Sequence, residues 1–239
     1  MNYNWDWSII FQEPYFGWLV SGTGWTLAVA SLAWIIAFTL GSAIGILRTL
    51  PNPIARAIGA AYVEFFRGIP LLVQLFLWYF VVPELLPQDL GMWVKRDMPD
   101  PEFTTAVISL GTYTAARVAE QVRSGIESLG RDLIYAGLAI GLTPLQNYLY
   151  VRLPVSYRII IPPLTSEFLT IFKNSALALT IGVMELTAQA RQIENYTFQG
   201  FEAFTAATVV YLIVTMMVVF LMRVIERYTR IPGMGAGGQ

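Results

Sequence analysis

Eight residues in an otherwise strongly apolar chain have side chains suited to binding a polar ligand. Arg117 and Glu120 stand three apart, as do Glu64 and Arg67, while Glu167, Thr170, Asn174 and Ser175 follow at spacings of three, four and one. A guanidinium is a planar fork of N–H donors that grips a carboxylate through two parallel hydrogen bonds. Glu167 matches an ammonium group, and Asn174 with Ser175 can donate to a second carboxylate. Competing readings exist for each. Glu120 can simply neutralise Arg117, Glu64 can pair with Arg67 along one helix face, and the later polar residues can hydrogen-bond to neighbouring helices.

Composition removes most other chemistry. The chain has no Cys and no His, which excludes disulfides, thiol nucleophiles, His-based acid–base triads, thiolate zinc sites and His- or Cys-ligated haem. The two lysines, Lys95 and Lys173, lie outside any G-x-x-x-x-G-K-[ST] phosphate loop. No catalytic residue, metal or cofactor is therefore expected, and ATP is not split by this chain. A net charge of −1 argues against a nucleic-acid binder.

The elements that must hold these residues are membrane helices. Hydrophobic residues make up 56% of the chain and charged ones 13%, against about half and a quarter in soluble domains. Between Glu13 and Arg48 lie 34 uncharged residues, more than the roughly 20 that a bilayer crossing needs. With no basic segment before it and no cleavage site after it, this stretch reads as a retained helix. Five spans are predicted, at about 24–47, 57–83, 104–123, 155–183 and 203–222. The fold class is thus an all-α membrane protein. Ten basic residues fall in one set of connections and three in the other, which puts the N-terminus outside and the C-terminus in the cytoplasm. On this reading residues 1–16 are a periplasmic segment, 17–230 the transmembrane domain and 231–239 a flexible cytoplasmic tail. The outer connection 84–102, with four prolines between Pro83 and Pro101 and with Trp93, is a surface loop or a partner-docking site. Gly41-x-x-x-Gly45 reads as a helix-packing motif. Lys173 is expected to snorkel outward or to pair with Glu185.

Residues 125–154 do not read as a span. Leu133, Ala136 and Ile140 recur at helical spacing, Gly141 breaks that helix, and Thr143 caps a second one with Pro144 in its first turn. Leu153-Pro154 is expected to stop it. Two short helices joined at a glycine, on the basic side of the membrane, can present an apolar knob to a cytoplasmic partner.

Tyr135-Ala136-Gly137-x-x-x-Gly141, then nine residues, then Val151-x-Leu153-Pro154, resembles the E-A-A-x3-G-x9-I-x-L-P loop of ABC importer permeases. The segments Tyr62–Phe76, Tyr113–Gly125, Pro162-Pro163-Leu-x-x-Glu167 and Lys173-Asn174-Ser175 are similar to the span signatures of the polar amino acid branch, and the resemblance covers roughly residues 20–230. It departs from the pattern where the usual Glu is Tyr135 and the second Ala is Gly137. In that family the loop couples the permease to a separate ATPase, which the resemblance transfers to Tyr135, Ala136, Gly137, Gly141, Leu153 and Pro154. The charge contact typical of the family is then either absent or supplied by Glu127 or Asp132.

The resemblance also implies partners: a second, similar permease chain, two cytoplasmic ABC ATPase subunits, a periplasmic solute-binding protein, and an amino acid as substrate, all at a bacterial inner membrane. Glu64 and Arg67 become a structural ion pair at the inner gate. Permeases of this family commonly have an aromatic residue where Arg117 stands, and an arginine there resembles the glutamate and aspartate importers. Arg117, Glu120, Glu167, Thr170, Asn174 and Ser175 are the expected substrate ligands. The alternatives are a permease for neutral amino acids such as glutamine and asparagine, one for basic amino acids, or a non-transporting scaffold or sensor subunit.

Overall fold

The computed structural model describes residues 3–229, so the expected tail at 231–239 lies outside the described residues. Helices follow one another as α1 (Tyr15–Leu47), α2 (Pro53–Gly68), α3 (Leu71–Phe76), α4 (Val82–Leu85), α5 (Gln88–Arg96), α6 (Pro101–Glu127), α7 (Arg131–Ala139), α8 (Pro144–Asn147), α9 (Leu153–Asn174), α10 (Leu186–Thr197) and α11 (Gly200–Thr229). Two wide π turns, Leu77–Val81 and Tyr148–Arg152, and two 3₁₀ segments, Trp7–Phe11 and Ser175–Ile181, complete the described chain, which contains no strand.

Two helices, α1 and α11, are long and apolar enough to cross a membrane alone. Two bent pairs qualify as broken spans: Pro53–Gly68 with Leu71–Leu85, bent by 103°, and Pro144–Ile181 with Leu186–Thr197, bent by 50°. The stretch 57–83, expected as one continuous span, is thus interrupted. Pro70 excludes helical geometry at the residue before it, and Ile69 is extended at φ −111°, ψ 131°. The carbonyls freed by the break are taken up by buried Gln74, whose Nε2 donates to Phe66 O at 2.7 Å and Ile69 O at 2.9 Å.

Leu153-Pro154 also behaves differently from expectation. It does not end the short helix that Thr143 starts. Helical backbone runs from Pro144 to Asn174, with the π turn Tyr148–Arg152 widening the helix just ahead of Pro154. A widened turn is a usual way for a helix to absorb a residue that breaks its hydrogen-bond ladder. The outer connection is partly helical as well, with α4 and α5 held by an ion pair between Glu84 and Lys95.

The centre of the molecule is the contact of α1 with α6. Val29, Ala30 and Ala33 on α1 are fully buried against Ala106 and Leu110 on α6 and Ile171 on α9. Further along, Gly41 and Gly45 face α6 directly. A Cβ on Gly41 would lie 2.7 Å from the Ala115 carbonyl oxygen, and one on Gly45 would lie 2.7 Å from that of Ala119. The G-x-x-x-G motif is a packing surface, as its spacing foretold. On the far side, α10 packs on the start of α1, where Leu186 N donates to Thr26 Oγ1 at 3.1 Å. Residues 3–11 fold back onto α11 because fully buried Glu202 accepts from the Tyr3 hydroxyl and, at 2.9 Å, from Asp6 N.

Gly45→Ala should destabilise the purified chain by about 1–3 kcal/mol, the usual cost of overpacking a close contact. Gly24→Ala, where an added Cβ meets nothing within 4 Å, is the matched control and should be neutral or slightly stabilising. Thermal unfolding in detergent measures both.

Candidate functional site

Helices α6 and α9 are brought into register by an apolar seam in which Val118, Val122 and Ile126 pack against Ile160 and Leu164. One turn beyond that seam Arg117 meets Glu167. Arg117 Nε donates to Glu167 Oε2 at 2.5 Å and Nη2 to Oε1 at 3.1 Å, a bidentate pair across fifty residues of sequence. The two partners are unequally placed: the Glu167 side chain is 8% exposed and that of Arg117 41%. A guanidinium has five N–H donors, and this contact uses one edge of the fork. Glu167 takes up Nε and Nη2 only, and the Tyr113 side chain lies against the same guanidinium.

Thr170 follows one turn along α9, half-buried, with its hydroxyl donating to Ser166 O at 2.8 Å. Asn174, half-buried, is the last residue of α9. Ser175 turns inward. It is fully buried and its hydroxyl donates to Phe172 O at 2.7 Å, whereas donation to a ligand carboxylate would need it free and facing outward.

Glu120 is also placed differently from expectation. It lies one turn from Arg117 but pairs with Arg48 of α1, Nη1 to Oε2 at 2.5 Å, and with Arg123, which in turn holds Glu127. Two independent networks therefore stand where one was expected. The signal for the second lay in Arg48, which the sequence shows only as a charge flanking a span; nothing local announces a partner 72 residues away. Glu64 and Arg67 both lie exposed on α2, and no ion pair joins them among the described residues. Lys173 is exposed, while Glu185 is fully buried as the cap of α10, accepting from Thr187 N, Ala188 N and Tyr211 Oη. The expected Lys173–Glu185 pair does not form.

The segment between α6 and α9 folds as two short helices. Helix α7 ends in a hydrogen-bonded reversal: Gly141 N donates to Leu138 O at 3.0 Å and Leu142 N to Gly137 O at 3.2 Å, with Gly141 at φ 89°. That left-handed turn is what favours glycine. Thr143 and Gln146 form a reciprocal capping box at the start of α8. Gly137 is buried on Asn147; a Cβ there would come within 2.8 Å of its side-chain oxygen. Ala136 and Pro154 are exposed and Leu153 is half-buried. Tyr135, Ile140, Leu145 and Tyr150 are exposed apolar or aromatic side chains on this rigid corner.

Residues 37–231 match the family described as binding-protein-dependent transport system inner membrane component. The chain belongs to this family. It is a permease subunit of an amino-acid ABC importer at the inner membrane, and the ATPase of such a system is a separate subunit. It is 46% identical to the glutamate/aspartate import permease protein GltJ of Escherichia coli K12, over 98% of each chain. It is 32% identical to the glutamine transport system permease protein GlnP of the same organism, over 95% of this chain and 98% of that one. A crystal structure of an amino acid ABC transporter with histidines superposes with a TM-score of 0.80 at 29% identity, covering 95% of this chain and all of the other. The inward-facing MetNI methionine ABC transporter shares the fold, at TM-score 0.74 and 23% identity.

The permease's two charge networks should behave independently. Combining Arg117→Ala with Glu167→Ala should cost less than the sum of the two single changes, by about 1–3 kcal/mol, because the second removes a partner already lost. Arg117→Ala with Glu120→Ala should add. Double-mutant cycles on thermal unfolding distinguish these outcomes.

Proposed function

We propose that this permease carries L-glutamate and L-aspartate, and that Arg117 receives a carboxylate of the substrate on the guanidinium edge that Glu167 leaves open. The observation that carries this reading is the unequal exposure of the pair: buried Glu167 holds one edge, and the accessible group is the cation. An acidic amino acid has one carboxylate more than a neutral one, so a held cation favours it. The similarity to the glutamate/aspartate import permease protein GltJ supports the same substrate class. The weaker similarity to the glutamine permease GlnP makes neutral amino acids the second reading.

In the proposed assembly the chain crosses the membrane five times, with its N-terminus outside and its C-terminus in the cytoplasm. The 30-residue α11 and the α9 stretch supply the last two crossings. It pairs with a similar permease chain, with the substrate site near the midplane between them. Two ATPases dock from the cytoplasm on the corner formed by α7 and α8, with Tyr135, Ala136, Gly137, Gly141, Leu153 and Pro154 at or supporting the contact. A solute-binding protein delivers the amino acid from the other side. Thr170 and Asn174 lie on the proposed substrate path, on the same helix as Glu167.

Two measurements in reconstituted vesicles test this. Arg117→Ala should raise the KM for glutamate about 10- to 150-fold, the range of a charge-assisted hydrogen-bonded pair. An unchanged KM would remove Arg117 from the site. Gly141→Val, forced into a left-handed backbone that costs a side chain about 1–2 kcal/mol, should lower transport per ATP hydrolysed. Full coupling in that variant would argue against docking at this corner.

A further inference from the structure

The corner formed by α7 and α8 is tied to the membrane charges by a route that does not pass along the helix backbone. Tyr148, the first residue of the π turn after α8, places its hydroxyl 2.6 Å from Thr49 Oγ1. Thr49 spends its one hydroxyl proton on Ile46 O, 2.8 Å away, so Tyr148 is the donor in the bond between them. The Tyr148 ring is itself held, with the Arg152 guanidinium 5.2 Å from its centroid. Thr49 follows Arg48 directly, and Arg48 grips Glu120 at 2.5 Å. Glu120 lies three residues, about 4.5 Å of helical rise, from Arg117, and Arg117 holds Glu167 on α9, the helix that continues from Tyr148.

These contacts close a ring through α9, the end of α1, and α6. Its three joints are side-chain hydrogen bonds or ion pairs, linked by backbone at Arg48–Thr49, along α6 from Arg117 to Glu120, and along the helix from Tyr148 to Glu167. The helix side of this ring is irregular at the π turn Tyr148–Arg152, where the backbone ladder is widened, and again at Pro162 and Pro163 inside α9. A push on α7 and α8 therefore has two ways to act. It can flex the π turn and be lost, or be carried by the Tyr148 hydroxyl into the end of α1 and across to α6.

We infer that Tyr148 and Thr49 are positioning residues that transmit movement of the α7–α8 corner to the Arg117–Glu167 pair. They touch neither the proposed substrate nor the docking surface, and they act by making the end of α1 follow the corner. The inference rests on the proposed docking above, in which that corner is where the ATPase pushes.

The experiment uses the complete transporter in vesicles, with wild type, Tyr148→Phe, Thr49→Val, Thr49→Ser and the Tyr148→Phe/Thr49→Val double variant. ATP hydrolysis and glutamate uptake are measured together, and assembly is followed by size-exclusion chromatography. Tyr148→Phe keeps the ring and its contact with Arg152 but loses the donor. Transport per ATP should fall about three- to tenfold in Tyr148→Phe and in Thr49→Val, while ATP hydrolysis and assembly are retained. Thr49→Ser, which keeps the acceptor, should restore coupling, and the double variant should be no worse than either single one. Unchanged transport per ATP in both single variants would overturn the inference. So would a parallel loss of hydrolysis, uptake and assembly, which marks a purely structural contact, and so would additive losses in the double variant. Full coupling in Gly141→Val, measured alongside, would overturn docking at this corner and the relay with it.

Discussion

Where Gly41 and Gly45 face α6, the two helix backbones lie so close that one added methyl group would press on the carbonyl oxygens of Ala115 and Ala119. This contact sets the height of α6 relative to α1, and the rest of the polar architecture depends on that height. Arg48 is one turn past Gly45, and Glu120 follows Ala119, so the same register that seats the glycines brings the guanidinium to the carboxylate. Arg117 then points to another side of α6, towards α9. Small residues thus do more than allow packing: they decide which charges meet.

Charged groups at membrane depth are costly, by about 2.5 kcal/mol or more each unless they are partnered or hydrated. In this permease the ion-paired charges around α6 fall into two groups. Arg48, Glu120, Arg123 and Glu127 neutralise one another near the end of α6. Arg117 and Glu167 form a separate pair with one buried and one accessible member. The first group joins helices. The second presents an oriented cation, the group on which the proposed recognition of acidic amino acids rests. A subunit without its own ATPase has no bond to break, so its work is confined to such positioning.

Irregular backbone is concentrated where these groups are connected. The break at Ile69–Pro70 is satisfied by Gln74, and the reversal at Gly141 by its own carbonyls. The π turn before Pro154 keeps the short α8 continuous with α9. Because of that continuity, the exposed corner made by α7 and α8 is joined through the π turn to the helix that carries Glu167.

Much of this protein can be read from its sequence alone. Hydropathy marks α1 and α11 as membrane helices, because a bilayer demands long apolar runs whatever they pack against. Gly141, Thr143 and Pro144 mark the helix reversal and cap, since local backbone preferences decide those. The permease family is legible in its loop and span motifs. Partnership between charges was not legible. Arg117 has Glu120 three residues away and Glu167 fifty residues away, and it is the distant one that it binds; Glu64 and Arg67, equally well spaced, do not pair. Likewise Ser175, polar and in line with Asn174, turns into the core. Sequence spacing tells which residues share a helix face, but a face meets its partner only through the packing of whole helices. That packing is set by buried glycines and methyl groups far from the charges, and only the tertiary structure shows it.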